Sequence, residues 1–309
     1  MKIRENKFNL IVVLGPTATG KTAFAANLAY RLNGEIISAD SRQVYRGMDK
    51  ATGKDFNDYL VNGVRVPYHL IDVVDPGYEY SVFEFQRDFL EAFHSITERG
   101  KLPVLCGGTG MYIESVLKGY RLTDVPENKG LRKKLEAESD SDLTEMLKSF
   151  KVPHNLSDLT ERKRLIRAIE IQQYYADHPE TDRSFPEIRP VILGIWFERE
   201  ELRQRITDRL KARLEAGMVD EVKALLAKGL KPEQLKFYGL EYKYLTQYVT
   251  GELSFEEMFR LLNTAIHQFA KRQLTWFRKM EREGAVIHWI DGKLSIDEKF
   301  IATRSIIEL

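Results

Sequence analysis

Short apolar runs alternate with helical segments along the first third of the chain. The apolar runs at 8–14, 35–39 and 103–106 are bounded by turn-forming residues, which is typical of buried strands. A further run at 68–74, closed by Asp75-Pro76-Gly77, predicts another strand. Between the runs, apolar residues recur every three to four positions, as they do on one face of a helix. This alternation predicts a doubly wound parallel sheet with helices on its faces.

The chain changes character after Gly119. Residues 120–189 are polar, helical in pattern and poor in β-branched runs, and an apolar run at 191–197 predicts a strand that returns to the sheet. We therefore expect residues 1–119 and 190–309 to form an α/β core with C-terminal helices, and 120–189 to form a helical insertion domain. The helices expected within the insertion are 131–138, 143–150 and 162–175.

Several helix boundaries are marked by capping residues. Ser81 and Ser254 each precede a glutamate at the third following position, which is the pattern of a capping box. The helix opened by Ser254 is predicted to run to about Lys279. Gly34 is expected to end the first helix, because glycine readily adopts the left-handed conformation that follows many helix C-termini. A final strand is predicted at 285–290.

Composition excludes several classes of protein. The 309 residues are 43% hydrophobic and 30% charged, which is the balance of a globular protein large enough for two domains. No apolar stretch approaches the roughly 20 residues of a membrane span, and the short charged N-terminus predicts a first strand and no signal peptide. Cys106 is the only cysteine, so no intrachain disulfide can form, and we expect a cytoplasmic protein. The six histidines show no metal-ligand spacing, so a zinc site is not expected.

One segment near the N-terminus carries a recognisable chemical motif. Gly15–Thr22 reads G-x-x-x-x-G-K-T between an apolar strand and a helix rich in alanine and leucine, which is the context of a P-loop. Such a loop turns backbone N–H groups toward phosphate oxygens, and the helix N-terminus adds its positive dipole end. Lys21 is expected to reach the terminal phosphate, and Thr22 to hold Mg²⁺. The predicted fold class is thus a P-loop NTPase-like α/β sheet, although the motif leaves open which phosphate is bound.

Two further polar residues follow predicted strands. Asp40 comes directly after the strand 35–39, and Thr109 lies in the glycine-rich turn Gly107–Gly110 after the strand 103–106. Ligands of open α/β sheets bind at this carboxyl edge of the strands. Asp40 can serve as a general base, as a helix cap or as an outer ligand of Mg²⁺. Thr109 can donate to a phosphate or leaving-group oxygen, or merely occupy a tight turn.

The net charge of +1 gives no global signal for nucleic acid, so an RNA site must come from local basic clusters. The run 162–167 can bind RNA phosphates or form a solvated helix surface. Arginines between positions 199 and 213 are interleaved with acidic residues, which favours pairing along the helix, although one of them could turn toward a pyrophosphate. The segment 271–279 mixes basic and aromatic residues and suits RNA stacking, but Trp276 and Phe277 fit better as core residues.

Taken together, these segments resemble the tRNA dimethylallyltransferases, also called tRNA isopentenyltransferases. The resemblance follows the family order across nearly the whole chain. Its most specific parts are the P-loop, the stretch around Asp40 and the basic–aromatic segment, since no common P-loop kinase carries them. The matching segments are 15–22, 36–49, 69–72, 102–113, 164–170 and 270–278.

The resemblance implies transfer of a dimethylallyl group from dimethylallyl diphosphate to the exocyclic amine of adenosine-37, beside the anticodon, in tRNAs that read codons beginning with U. The P-loop then binds this diphosphate and not ATP. Asp40 is implied as the base that takes the amine proton, with Thr109 near the reacting adenosine. Lys21 and Mg²⁺ would stabilise the leaving diphosphate, and Arg205 or Arg209 would add a contact. The implied diphosphate-binding residues are Gly15, Pro16, Thr17, Ala18, Thr19, Gly20, Lys21 and Thr22.

The resemblance also implies that the protein binds the anticodon stem-loop of tRNA and, by analogy, that it is a monomer. The insertion domain would hold the stem-loop, while residues after the second strand would read the neighbours of the target adenosine. The implied tRNA-binding residues are Asp40, Ser41, Arg42, Gln43, Thr109, Lys163, Arg164, Leu165, Ile166 and Arg167.

The chain departs from the family pattern in two regions. The family's Ile-Gly-Tyr-Lys-Glu run is replaced by Phe237–Lys243, which reads Phe-Tyr-Gly-Leu-Glu-Tyr-Lys. The Asn-Asp that precedes the arginine-rich helix in the family is replaced at 159–161, and the usual Thr-Gly after that helix is absent around 176–177. These differences indicate a diverged member with altered tRNA choice.

Two other functions are consistent with parts of the sequence. An ATP-dependent P-loop kinase of small molecules would use the insertion as a lid, but its only candidate for a Walker-B aspartate lies in 69–72. A GTPase is disfavoured because no Asn-Lys-x-Asp motif is present. A non-catalytic tRNA-binding protein would keep the scaffold and a salt-dependent RNA affinity without any transfer.

Overall fold

A computed structural model describes residues 8–120, 122, 124–150, 162–178 and 185–307. The described residues form two compact units. The core unit comprises the residues up to 120 together with those from 186 onward, and the insertion unit comprises those between 121 and 185. Asn9 holds the re-entering chain beside the first strand: its amide donates to the Glu187 carbonyl at 2.8 Å and accepts from the Arg189 N–H at 2.7 Å.

The core unit is built on a six-stranded sheet whose pairings are all parallel. In chain order, the strands of this sheet and of a separate hairpin are β1 (Leu10–Leu14), β2 (Gly34–Ala39), β3 (Leu60–Val61), β4 (Val64–Arg65), β5 (Tyr68–His69), β6 (Leu102–Gly107), β7 (Pro190–Trp196) and β8 (Ile287–Asp291). The sheet order is β5-β2-β6-β1-β7-β8, while β3 and β4 form a separate antiparallel hairpin. The predicted parallel α/β sheet is therefore confirmed. Because β1 lies between β6 and β7, the P-loop begins near the centre of the sheet edge.

Helices fill the segments between the strands. They are α1 (Lys21–Arg31), α2 (Val82–Glu98), α3 (Gly110–Leu117), α4 (Lys129–Leu135), α5 (Asp140–Phe150), α6 (Arg162–Asp177), α7 (Arg199–Glu215), α8 (Met218–Ala227), α9 (Pro232–Phe237), α10 (Leu240–Val249), α11 (Phe255–Arg282) and α12 (Ile296–Ile307), with a 3-10 turn at Phe56–Tyr59. The capping boxes at Ser81 and Ser254 are both formed, as predicted.

Two apolar clusters cover the two faces of the sheet. Ile11 and Val13 of β1 belong to the cluster that contains α1, whereas Leu10, Val12 and Leu14 belong to the cluster that contains α2. All five side chains of β1 are fully buried. A strand with both faces covered needs an almost continuous apolar run, which explains why β1 was visible in the sequence. Each such side chain contributes about 1.5–3 kcal/mol by leaving water.

The insertion unit has an apolar core of its own. Leucine and isoleucine side chains from α4, α5 and α6 enclose one another, including Leu165 and Ile166. Beside them, the buried Glu170 accepts hydrogen bonds from Arg132 at 2.8 Å, from Arg167, and from the Asn128 N–H at 2.6 Å. Burial raises the pKa of Glu170, but these donors outweigh it and hold the pKa at about 2.

Two details of the core unit differ from the predictions. Gly34 does not follow the first helix as its left-handed residue: Asn33 takes that conformation, with φ 55°, and Gly34 opens β2. The strand predicted at 68–74 is only Tyr68–His69, because Leu70 and Asp72 adopt φ of 62° and 56° and the extended chain cannot continue. The Asp72 N–H donates to the Gln43 carbonyl at 3.1 Å and the Asp72 carboxylate pairs with Lys54, so its conformation depends on residues much earlier in the chain, which the apolar pattern does not reveal.

Candidate active site

The P-loop forms a compact turn between β1 and α1 that an internal hydrogen bond stabilises. Ala18 and Gly20 adopt left-handed φ values of 66° and 73°, and the Thr19 hydroxyl donates to the Pro16 carbonyl at 2.9 Å. A Cβ at Gly15 would lie 2.8 Å from the Ile195 carbonyl oxygen, so this position requires glycine. The loop therefore has the shape that presents backbone N–H groups to an anion.

Lys21 extends over this loop. Its ammonium group lies 3.4 Å from the Pro16 carbonyl oxygen. Burial lowers the pKa of Lys21, and Arg209 and Arg213 lower it further, while Cys106 and Asp40 act in the opposite direction. Positive charge from Lys21, Arg209 and Arg213 is thus concentrated near the loop.

Two arginines of α7 approach the loop four residues apart. The Arg205 Nε donates to the Ala18 carbonyl at 3.0 Å, and its guanidinium lies over the Phe197 ring at 4.3 Å. Arg209 donates to the Thr17 hydroxyl at 3.3 Å. Arg209, but not Arg205, lines a pocket together with Thr17, Ala18, Arg213, Glu241 and four apolar side chains. Of the two arginines, Arg209 is therefore the one whose side chain is accessible from the pocket.

A glutamine on α11 joins the P-loop to the second glycine-rich turn. The Gln273 amide accepts from the Thr17 N–H at 2.9 Å and donates to the Gly108 carbonyl at 2.9 Å. A Cβ at Gly108 would lie 2.3 Å from the Gln273 Nε2, so a larger residue here would displace the Gln273 amide. Gln273 lies in a segment that the sequence marked for its basic and aromatic residues, and no local signal identified its role.

Asp40 and Thr109 follow the neighbouring strands β2 and β6, and Thr109 bonds with the residues on either side of Asp40. The Thr109 hydroxyl accepts from the Ser41 N–H at 3.1 Å, and the Thr109 N–H donates to the Ala39 carbonyl at 3.2 Å. One oxygen of the Asp40 carboxylate accepts from the Arg42 N–H at 2.9 Å. The carboxylate is thus held near Thr109, on the same edge of the sheet as the P-loop.

Comparison with known proteins shows which family the chain belongs to. A model described as IPP transferase matches residues 43–280, and one described as isopentenyl transferase matches residues 8–74. A tRNA dimethylallyltransferase 2 of Bacteroides fragilis is 60% identical over 292 residues, which cover 94% of this chain and 95% of the relative. A tRNA dimethylallyltransferase 1 of Parabacteroides distasonis is 56% identical over 300 residues, with coverage of 97% and 98%.

The chain belongs to the tRNA isopentenyltransferase family.

One solved structure supports the same assignment, and a second shares the fold. The full-length tRNA isopentenylpyrophosphate transferase of Bacillus halodurans superimposes with a TM-score of 0.71 at 34% identity, over 99% of this chain and 96% of that one. A eukaryotic dimethylallyltransferase acting on tRNA gives a TM-score of 0.75 at 24% identity, over 96% and 77% of the two chains, and shares the fold. Among the described residues, no helix is long and apolar enough to cross a membrane.

The residues that the family resemblance assigned to tRNA differ in accessibility. Gln43 is buried, and its amide is used internally: it accepts from the Ser38 hydroxyl and donates to the Gly53 carbonyl, both at 3.1 Å. The prediction that Gln43 reads RNA bases therefore has no support from its position. Arg42 is partly exposed, and its guanidinium lies over the Phe237 ring at 5.8 Å. Arg42 is thus better placed than Gln43 to contact a nucleotide.

The basic run on α6 also divides into two classes. Leu165 and Ile166 belong to the apolar core of the insertion unit, so their side chains are not available for a tRNA contact. Arg167 donates to the Val125 carbonyl at 2.7 Å and to Glu170. Lys163 and Arg164 are exposed. Burial therefore argues against Leu165 and Ile166 as tRNA-binding residues, while Lys163, Arg164 and Arg167, whose side chain is 38% exposed, stay predictions.

The segment 237–243, the first of the two departures from the family pattern, contributes Glu241 to the pocket beside the P-loop. Tyr238 packs edge-on against Tyr45 with ring centres 4.6 Å apart, and its hydroxyl accepts from the Gly77 N–H. Glu241 lines the pocket beside Arg209 and Arg213. Burial raises the pKa of Glu241, against the influence of the two arginines. The other departure, at 159–161, lies outside the described residues.

Two further sequence interpretations are clarified by the contacts. Phe277 is fully buried in the core unit, as expected, and Trp276 packs against Gly110, where a Cβ would come within 2.5 Å of the indole ring. Asp72, the candidate Walker-B aspartate of a kinase, is paired with the buried ammonium of Lys54. The Asp72 carboxylate therefore stabilises the loop that carries Lys54. The kinase alternative thereby loses its only candidate for a Walker-B aspartate.

Proposed function

We propose that this chain transfers the dimethylallyl group of dimethylallyl diphosphate to the exocyclic amine of adenosine-37 in tRNAs that read codons beginning with U. The observation that carries the proposal is the placement of Asp40 and Thr109 beside the P-loop on one sheet edge. A base and an anion site at one edge suit a reaction that removes a proton from one substrate and releases diphosphate from the other.

The chemistry follows from the charges that develop. The amine is a weak nucleophile because its lone pair is delocalised into the purine ring, so Asp40 is proposed to accept its proton as the new bond forms. The amine nitrogen bonds to the first carbon of the allyl group while the bond from that carbon to the diphosphate oxygen breaks. Lys21, Arg209 and the P-loop N–H groups other than that of Thr17, which donates to Gln273, are proposed to stabilise the leaving diphosphate.

Magnesium is the metal that this family of folds implies, and the chain offers few ligands for it. Among the described residues, no three His, Cys, Asp or Glu side chains are arranged to hold a metal ion. Thr22 offers one hydroxyl at the start of α1, so the diphosphate and water would supply most ligands, as is usual for Mg²⁺. The metal would neutralise part of the diphosphate charge.

The tRNA is proposed to be held by the insertion unit and read by residues after β2. Lys163 and Arg164 offer positive charge to the phosphates of the anticodon stem-loop. The target adenosine must leave the anticodon stack to reach Asp40, which costs a few kcal/mol of stacking. Ser41 and Arg42 directly follow the proposed base and are suited to contact the neighbouring nucleotides. The protein is proposed to act as a monomer.

The test is a transfer assay with unmodified tRNA that reads a U-starting codon, Mg²⁺ and dimethylallyl diphosphate. Digestion and mass spectrometry should find dimethylallyl adenosine, and only at position 37. A parallel reaction contains ATP in place of the prenyl donor. Phosphate released from ATP, with no prenylated tRNA from several substrates, would reject the proposal in favour of a nucleotide-driven enzyme.

A further inference from the structure

An aspartate outside every sequence motif touches both pocket arginines. Asp55 lies in the connection between β2 and β3, and one oxygen of its carboxylate accepts from Arg209 at 2.8 Å and from Arg213 at 3.0 Å. Its side chain is 49% exposed. Burial alone would raise the pKa of Asp55, but the two guanidiniums lower it below its ordinary value, so the group stays charged at neutral pH.

The two arginines have different surroundings. Arg213 is only 15% exposed, and a Cβ on Gly53 would lie 2.2 Å from its guanidinium, so the loop backbone packs directly against it. Arg209 is 34% exposed, and its other amino group donates to the Thr17 hydroxyl in the P-loop. Arg213 is thus enclosed, whereas Arg209 faces the proposed diphosphate.

The loop that carries Asp55 is itself held in place. The ammonium of Lys54 is fully buried and pairs with Asp49 at 3.0 Å and with Asp72. The carboxylate of Glu221 on α8 accepts from three successive backbone N–H groups, at positions 49, 50 and 51. Asp55 therefore approaches the arginines from a supported backbone.

Charge explains why a carboxylate is needed at this point. Two guanidiniums side by side repel each other, and each lacks a fixed geometry of its own because an arginine side chain has several rotatable bonds. A carboxylate between them offsets the repulsion and fixes both through charge-assisted hydrogen bonds. Arg209 then reaches the P-loop from one defined direction.

We propose that Asp55 is a positioning residue for the prenyl diphosphate: it holds Arg209 against the P-loop, with the enclosed Arg213 as the fixed partner behind it. The proposal rests on the proposed function, since it takes the diphosphate as the ligand of this pocket. Asp55 itself does not contact the substrate.

The test compares the wild-type protein with Asp55→Asn and Asp55→Glu. For Asp55→Asn we expect the KM for dimethylallyl diphosphate to rise about tenfold, the usual effect of losing a hydrogen bond between charged groups, with the KM for tRNA unchanged. Asp55→Glu keeps the charge and should recover part of this loss. The matched control is Asp297→Asn, which removes an ion pair with Arg31 at the far end of α1, about 15 Å along the helix from Lys21.

A second measurement does not depend on transfer. Inorganic pyrophosphate is titrated into the same four proteins by calorimetry, and Asp55→Asn should bind it about tenfold more weakly than wild type and the control. Equal binding would overturn the proposal, and so would tighter binding, which would make Asp55 a competitor of the diphosphate. If the wild type binds pyrophosphate but transfers nothing to tRNA, the proposed function fails while the role of Asp55 is still decided.

Discussion

Single residues in the site are held by neighbours close in sequence as well as by distant ones. Asp40 is oriented by the N–H of Arg42, two residues away, and Thr109 by the N–H of Ser41, which belongs to another strand end. A carboxylate with one oxygen engaged keeps its direction while the other oxygen can take a proton. Two of our predictions concern this scale.

Replacement of Asp40 by asparagine should abolish the proton acceptor while keeping the shape and the hydrogen bond from Arg42. We expect the transfer rate to fall by about 10²–10⁴-fold, the usual contribution of a general base. Binding of tRNA, measured by a filter or fluorescence assay, should stay within about twofold of wild type. A loss of RNA affinity equal to the loss of rate would show that Asp40 acts in binding and not in proton transfer.

Lys21 should make donor binding depend on pH. A lysine is cationic only below its pKa, and the pKa of Lys21 is lowered by burial and by Arg209 and Arg213. Pyrophosphate affinity should therefore decline as the pH rises from neutrality toward about 10, where an ordinary lysine is still largely protonated. Calorimetry of Lys21→Met should give weak binding with no such decline. A decline that persists in this variant would assign the titration to another group.

Elements are connected by contacts that span most of the chain. The Gln273 side chain on α11 satisfies the Thr17 N–H and the Gly108 carbonyl, so one helix sets the spacing between the P-loop and the turn that carries Thr109. The amide donates at one end and accepts at the other, as the two partners require. No charged side chain of similar length could do both.

Replacement of Gln273 by glutamate separates the two contacts. A carboxylate can still accept from Thr17 but cannot donate to Gly108, and a buried carbonyl without a donor costs about 1–3 kcal/mol. We expect a lower melting temperature and a fall in kcat, because Thr109 loses its fixed distance from the P-loop. As a comparison, Gln247→Glu changes a glutamine on α10 that bonds with Glu252 at the exposed surface. Equal stability and kcat in both variants would argue against the bridging role.

The sequence predicts correctly those features of the fold that depend on residues close together in the chain. The apolar run of β1, the P-loop spacing and the boxes at Ser81 and Ser254 each depend on residues within a few positions of one another. The strand at 68–74 was overextended because the left-handed turns at Leu70 and Asp72 depend on the folded loop. Asp55 and Gln273 gave no signal because their partners lie 154 to 256 residues away in the sequence.

The whole molecule divides its proposed work between two compact units. The insertion unit has a closed apolar core, and its α6 presents exposed Lys163 and Arg164 while burying the next two residues. The core unit carries the P-loop, the proposed base and the pocket arginines. Contacts to tRNA and to the prenyl donor should therefore be separable by mutation.

Lys163→Ala tests this separation. Loss of one phosphate contact should weaken tRNA binding and reduce by about 1 the slope of log affinity against log salt concentration. The KM for dimethylallyl diphosphate should not change. Lys148→Ala removes an exposed lysine of α5 in the same unit and serves as the control. An identical salt slope for wild type and Lys163→Ala would exclude this lysine from the RNA contact.

The distance along the chain between Thr17 and Gln273 has a consequence during protein synthesis. The P-loop sequence leaves the ribosome early, but the side chain that satisfies one of its N–H groups follows 256 residues later. Strand β7, which pairs with β1, also emerges only after the insertion unit. We therefore expect nascent chains that end before α11 to bind pyrophosphate poorly, even though every residue of the motif is already present.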